Sequence, residues 1–131
     1  MVMNNILIDT NIYTSALKGD HETIIVLQRT REIGICSITI GELLSGFKAG
    51  NREKKNREEL SEFLDMPRVN VYGVDENTAE FYSAVINNLR NKGKPIPTND
   101  IWIAAVAFQY GFPLFTKDKH FEYVPGLVLV S

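Results

Sequence analysis

Short apolar runs punctuate this chain, and their period switches between that of a strand and that of a helix. Asn4–Ile8 ends in an Ile-Leu-Ile run of strand length, and the run stops at Asp9. A helical stretch over Thr10–Lys18 is broken by Gly19-Asp20, and Asp20 stands where an N-cap would open a second helix, expected over His21–Glu32. Ile33–Ser37 reads as a second strand. Thr39–Ala49 reads as a helix ended by Gly50, and Arg52–Asp65 as another stopped ahead of Pro67. Val69–Tyr72 alternates like a strand. Within Asp75–Lys92, Tyr82, Val85, Ile86 and Leu89 recur at i, i+3, i+4 and i+7, the clearest amphipathic helix of the chain. Gly93–Pro97 is a rigid, proline-set connection. Thr98–Tyr110 is apolar on nearly every side, which predicts a helix buried on several faces. Gly111 ends it, and Pro113–Phe115 and Leu127–Val130 are the last two strands.

Strands alternating with helices imply an α/β sandwich around a mainly parallel sheet. No repeat, low-complexity segment or linker divides the chain, so a single domain over residues 1–131 is expected. The length of 131 residues and a hydrophobic content of 44% agree with this and exclude a chain that is mostly disordered. One cysteine, Cys36, rules out an intramolecular disulfide and any zinc site built on several thiolates, and makes a reducing cytoplasm the expected location. The longest apolar run, Ile101–Phe108, is far short of the ~20 residues that a spanning helix needs. No Lys or Arg precedes the first apolar run, so a secretory signal is not expected, and no membrane partner is implied. The net charge of −2 gives no bulk attraction to nucleic acid, which leaves only local basic patches for that purpose.

The acidic residues change the picture. Glu53, Glu58, Glu59 and Glu62 fall on solvated helix faces, whereas Asp9 ends the first strand and Glu42 is expected in the first turn of the helix after the second strand. Asp100 opens the apolar helix, and Asp118 follows the strand Pro113–Phe115. In a parallel sheet the carboxyl ends of the strands share one edge, where ligands bind. Asp9, Glu42 and Asp118 reach that edge, and Asp100 joins them if its helix points its N-terminus the same way. Crowded carboxylates raise one another's pKa. Mg²⁺ or Mn²⁺ relieves the crowding, because hard cations take oxygen ligands and bridge to phosphates. The chemistry implied is metal-assisted phosphodiester hydrolysis. Each acid alone also has a structural reading: Asp9 as an N-cap, Glu42 as part of a Thr39-to-Glu42 capping box, Asp100 as a complement to the helix dipole, and Asp118 as a turn residue.

Taken with their neighbours, these acids resemble the PIN-domain ribonucleases, and specifically the VapC-type toxins of prokaryotic toxin–antitoxin pairs. The matching segments are Ile8-Asp9-Thr10-Asn11, Ser37–Leu43 with Gly46, Pro97–Ala107, and Leu114–Phe121. The resemblance covers essentially the whole chain and implies a PIN-like α/β/α sandwich. It carries Asp9, Glu42, Asp100 and Asp118 over as catalytic, metal-holding acids, with Asn11, Asn99 and Thr116 as polar helpers. Many relatives have an acid where this chain has His120, a departure that bears on a second metal ion. Lys117, Lys119 and His120, beside Asp118, are the candidate RNA contacts; Lys48, Arg52, Lys54, Lys55 and Arg57 form a second basic cluster in which Lys54/Glu58 and Lys55/Glu59 can pair at i, i+4.

The resemblance further implies a homodimer, for which Phe47, Phe81 and Trp102 are candidate apolar contacts. It also implies an antitoxin carrying a DNA-binding domain. The antitoxin's tail is expected to dock near Ile12, Leu43 and Phe47 and to insert a basic residue among the carboxylates. A housekeeping RNA-processing nuclease of the same fold is the nearest alternative. A PIN fold kept only for interaction is disfavoured by the retention of all four acids. A phosphatase or receiver domain with Asp9 as phosphoacceptor is less well matched, since Asp9-Thr10-Asn11 lacks the second aspartate of the phosphatase signature and no Asp follows Val69–Tyr72 directly.

Overall fold

The computed structural model of the protein describes residues 3–130. The strands are β1 (Met3–Ile8), β2 (Thr30–Cys36), β3 (Val69–Tyr72), β4 (Leu114–Phe115) and β5 (Leu129–Val130). They form one parallel sheet in the order β3-β2-β1-β4-β5. The helices are α1 (Thr10–Leu17), α2 (His21–Gln28), α3 (Ser37–Ala49), α4 (Glu53–Leu64), α5 (Glu76–Lys92) and α6 (Thr98–Tyr110), with a 3₁₀ turn at Lys119–Tyr123. The strand order differs from the 2-1-3-4-5 order of receiver domains, which removes that reading.

Alternation along the strands sends side chains to two cores. Ile6 and Ile8 face one side with Ile33, Ile35 and Phe115, against residues of α1 to α4 such as Ile12, Leu43 and Leu60. Leu7 and Leu114 face the other side, against Val85 and Leu89 of α5 and Ile103, Ala104 and Ala107 of α6. This is the α/β/α sandwich. Helix α6 buries Ile101 and the whole run from Ile103 to Ala107, in keeping with its lack of a polar face. Gly34 of β2 lies under Tyr72 and Phe112, where a Cβ would come within 3.0 and 3.1 Å of their rings.

Several boundaries differ from the sequence reading, the largest at α2. This helix ends at Gln28, not Glu32, and β2 begins at Thr30. The parallel register pairs Met3 with Thr30 and Asn5 with Glu32, so ladder hydrogen bonding claims residues whose periodicity alone continues the helix. Arg68 fixes the junction, its Nη1 donating to the carbonyls of Leu27 and Thr30 at 2.6 Å each. Helix α3 begins at Ser37, capped by Cys36, so β2 stops one residue early. Glu42 therefore lies in the second turn, and Thr39 is an interior helix residue, not the cap of a capping box. The last strand is Leu129–Val130, shorter than expected, because its partner β4 offers only Leu114 and Phe115 for pairing; ahead of it, Lys119–Tyr123 turns as a 3₁₀ helix that buries Phe121. No helix of the described residues is long and apolar enough to cross a membrane.

Candidate active site

The carboxyl ends of β1, β2 and β4 meet the N-terminus of α6 around an open pocket of about 470 Å³. All four singled-out acids, Asp9, Glu42, Asp100 and Asp118, line it, together with Thr10, Asn11 and Asn99. The condition on Asp100 is met: α6 presents its N-terminus to the same edge as the strand ends.

Asp9 is only 3% exposed. Its Oδ1 accepts from the Ile12 amide at 2.9 Å, so Asp9 is indeed the N-cap of α1. Its Oδ2 accepts from Thr116 Oγ1 at 2.5 Å, and Thr116 Oγ1 in turn accepts from the Asp118 amide at 3.0 Å. The capping role and the pocket role thus belong to one side chain. Asp118 takes the Asn11 amide at 3.0 Å. Glu42 accepts from Thr10 Oγ1 at 2.7 Å and from Asn99 Nδ2 at 3.4 Å. The three helpers named from the sequence therefore each touch an acid: Asn11 touches Asp118, Asn99 touches Glu42, and Thr116 touches Asp9. Thr10 was missed, because a threonine at the first position of a helix reads as an ordinary N-terminal residue; its place between Asp9 and Asn11 was the available signal.

Burial is the leading cause that raises the Asp9 carboxyl above its ordinary range. The Thr116 and Ile12 hydrogen bonds oppose it, and the charges of Asp118 and Asp100 add to it. Asp100 is raised in the same way, first by burial, with His120 opposing and Glu42 and Asp118 adding. Mutual repulsion is present, as the sequence implied, but desolvation outweighs it.

His120 is not a surface residue turned to solvent. Its Nε2 lies 2.7 Å from Asp100 Oδ2, close but without the alignment of a hydrogen bond, and its ring packs on Phe121. Of the two flanking lysines, Lys117 is held by Asp20 at 3.0 Å, while Lys119 is exposed and makes no ion pair among the described residues. In the second basic cluster Lys55 pairs with Glu59 at 4.0 Å and Arg57 with Glu53 at 3.8 Å, as solvated i, i+4 contacts. Trp102 is half-buried and stacks on Tyr82 with ring centroids 4.0 Å apart. Ile12 and Leu43 belong to the buried core, while Phe47, also largely buried, lines an open groove with Thr14 and Leu17 of α1 and Lys55 and Glu59 of α4; Phe81 is exposed.

An all-oxygen, carboxylate-rich pocket fits a hard divalent cation by donor type. Among the described residues no three His, Cys, Asp or Glu side chains converge tightly enough to enclose an ion.

A parallel α/β/α sheet with four acids gathered at the carboxyl ends of its strands describes a class of site suited to phosphodiester chemistry. The model of the PIN domain matches residues 6–127, and the chain belongs to the PIN-domain family. Within it the chain is of the VapC type. It is 32% identical to ribonuclease VapC1 of Haemophilus influenzae over 131 residues, covering 92% of each chain. Its fold superposes on the DNA-bound VapBC of Salmonella typhimurium with a TM-score of 0.84 and 27% identity, covering 98% of each chain. VapBC2 of Rickettsia felis, bound to a promoter DNA fragment, gives a TM-score of 0.85 at 25% identity, covering 96% of this chain and 97% of that one.

Proposed function

We propose that this protein is a divalent-metal-dependent endoribonuclease that acts as the toxin of a toxin–antitoxin pair. The observation that carries the reading is the convergence of Asp9, Glu42, Asp100 and Asp118, from four separate elements, on one pocket of a VapC-type chain. These four are the residues that would hold Mg²⁺ or Mn²⁺. Bound there, such an ion supplies Lewis-acid activation and neutralises charge that develops on the phosphate.

The chain's own residues do the remaining work. Asn11 and Thr116 fix Asp118 and Asp9, and the buried Asp9 caps α1 so that the first turn of that helix is anchored at the pocket floor. Asn99 steadies Glu42 from the α6 side. Lys119, exposed and next in the chain to Asp118, is free to meet an RNA phosphate, and such contacts give affinity without sequence preference. Lys117 is committed to Asp20 and contributes to RNA only by leaving that pair.

The two solved relatives from Rickettsia felis and Salmonella typhimurium are VapBC assemblies bound to DNA, which supports a cognate antitoxin with a DNA-binding domain for this chain as well. A basic residue of its tail, lodged among the four acids, would compete with the cation and block RNA together, because a guanidinium fork matches carboxylates. A homodimer belongs to the same reading, with Phe81 as the exposed apolar contact.

The test is cleavage of RNA by the purified protein with Mg²⁺ or Mn²⁺ and with EDTA. Metal-dependent cleavage that disappears in Asp100→Asn supports the reading; cleavage at full rate in EDTA overturns the metal requirement.

A further inference from the structure

Glu42 is held by side chains alone. It lies in the second turn of α3, on a long side chain, and no backbone amide donates to its carboxylate among the described residues. Asp9, by contrast, is held by the Ile12 amide and the Thr116 hydroxyl. Two side-chain donors reach Glu42: Thr10 Oγ1 to Oε1 at 2.7 Å and Asn99 Nδ2 to Oε2 at 3.4 Å. The second distance is beyond the usual range for an N–H···O bond, and the first is that of a good hydroxyl-to-carboxylate bond.

Thr10 is itself well placed to act as a fixed point. It follows Asp9, whose amide donates to the Phe115 carbonyl and whose carbonyl accepts from the Tyr13 amide, so the backbone here is tied to β4 and to α1. Its β-branched side chain has few allowed rotamers. The hydroxyl is not used for the fold: Asp9 supplies the helix cap, and no bond from Thr10 Oγ1 to a backbone carbonyl is formed. The Asp9-Thr10-Asn11 segment therefore supplies one acid directly and grips two others, Glu42 through Thr10 and Asp118 through Asn11.

We propose that Thr10 is a positioning residue for the reaction: its hydroxyl engages Glu42 Oε1 and so sets the direction in which Glu42 presents its other oxygen to the pocket. The assignment rests on the ribonuclease reading for its consequence in catalysis, but not for its geometry. A carboxylate free to swing over several torsions would populate the working orientation only part of the time, and misplacement by ~1 Å can lower a rate by about 100-fold.

Thr10→Val removes the hydroxyl at nearly constant shape, and Thr10→Ser restores it. Crystal structures of the wild type and Thr10→Val should show the Glu42 carboxylate displaced in the variant, with α1 and Asp9 unmoved. In RNA cleavage, kcat of Thr10→Val should fall about 10- to 100-fold, with KM changed by less than about twofold. Thr10→Ser should recover most of the rate, which a loss of packing at the methyl position would not allow. Mn²⁺ affinity, read by calorimetry without RNA, should weaken in Thr10→Val and return in Thr10→Ser. A Glu42 carboxylate that keeps its place in the Thr10→Val crystal overturns the proposal, as does an unchanged kcat. If the wild type does not cleave RNA, the ribonuclease reading fails, and the two crystal structures still decide the role of Thr10.

Discussion

Asp100 and Asp75 sit near opposite ends of α6 and are treated in opposite ways by the fold. Asp75 caps α5 and accepts from the Asn77 and Thr78 amides at 2.9 and 3.1 Å, from the Thr78 hydroxyl at 3.2 Å, and from Gln109 of α6 at 3.1 Å. Those donors hold its carboxyl below the ordinary range. Asp100 has only His120 close by, is partly buried, faces two other acids, and is held above that range. The chain can satisfy a carboxylate where the purpose is a helix junction. At the pocket it gathers four carboxylates, of which Asp9, Glu42 and Asp118 each keep one or two donors and Asp100 has no aligned one.

The largest effect that separates the two regions is on activity. Asp100→Asn or Asp9→Asn should lower RNA cleavage by at least about 100-fold, while circular dichroism shows an intact fold. Asp75→Ala should leave the cleavage rate within the error of the assay and lower Tm instead, through the lost cap and the lost tie to Gln109. An activity loss in Asp75→Ala comparable to that of Asp100→Asn would erase the distinction.

A smaller effect concerns Thr116, which joins the site to the fold. Thr116→Val leaves the buried Asp9 oxygen without its donor, and denaturant titration should show a loss of about 1–3 kcal/mol. Smaller again is the pH dependence of Asp9. Its folded pKa lies above the 3.8 of an ordinary aspartate, so its favourable contribution is present in full below about 3.8 and is lost as pH rises through the folded value. Metal-free Asp9→Asn should therefore melt above the wild type at neutral pH, with the advantage shrinking as pH falls toward 3.8. Asparagine can still accept from Ile12 as an N-cap, so the comparison isolates the charge. A Tm difference independent of pH would contradict it.

The smallest effect is on RNA affinity. Lys119→Ala should reduce the slope of log K against log salt by about 1, and Lys117→Ala by less, because Lys117 is paired with Asp20. Equal slopes for the two would show that the Asp20 pair does not hold in solution.

Acids at strand ends are legible from sequence because a parallel sheet brings those ends together whatever the details of packing, and Asp9, Glu42 and Asp118 were readable on that ground. Asp100 depended on a helix direction that only the tertiary arrangement settles. The start of β2 was hidden because pairing with β1, not local periodicity, decides it. The approach of His120 to Asp100 joins residues far apart in the chain through the 3₁₀ turn at Lys119–Tyr123, which no hydrophobic period announces. Thr10 stood in the matching segment Asp9-Thr10-Asn11, but its role did not follow from it, because its partner Glu42 lies on another helix and a hydroxyl at a helix start has several ordinary uses.

The central claim is that the acid pocket hydrolyses RNA with water as the nucleophile. It is tested most directly by running the metal-supported cleavage in H₂¹⁸O and analysing the new ends by mass spectrometry. The account predicts that one ¹⁸O enters the phosphate monoester of the product in the cleavage step, with the 2′-hydroxyl intact and no 2′,3′-cyclic phosphate formed. Cyclic phosphate ends would show that the RNA's own 2′-hydroxyl attacked, and would contradict the account.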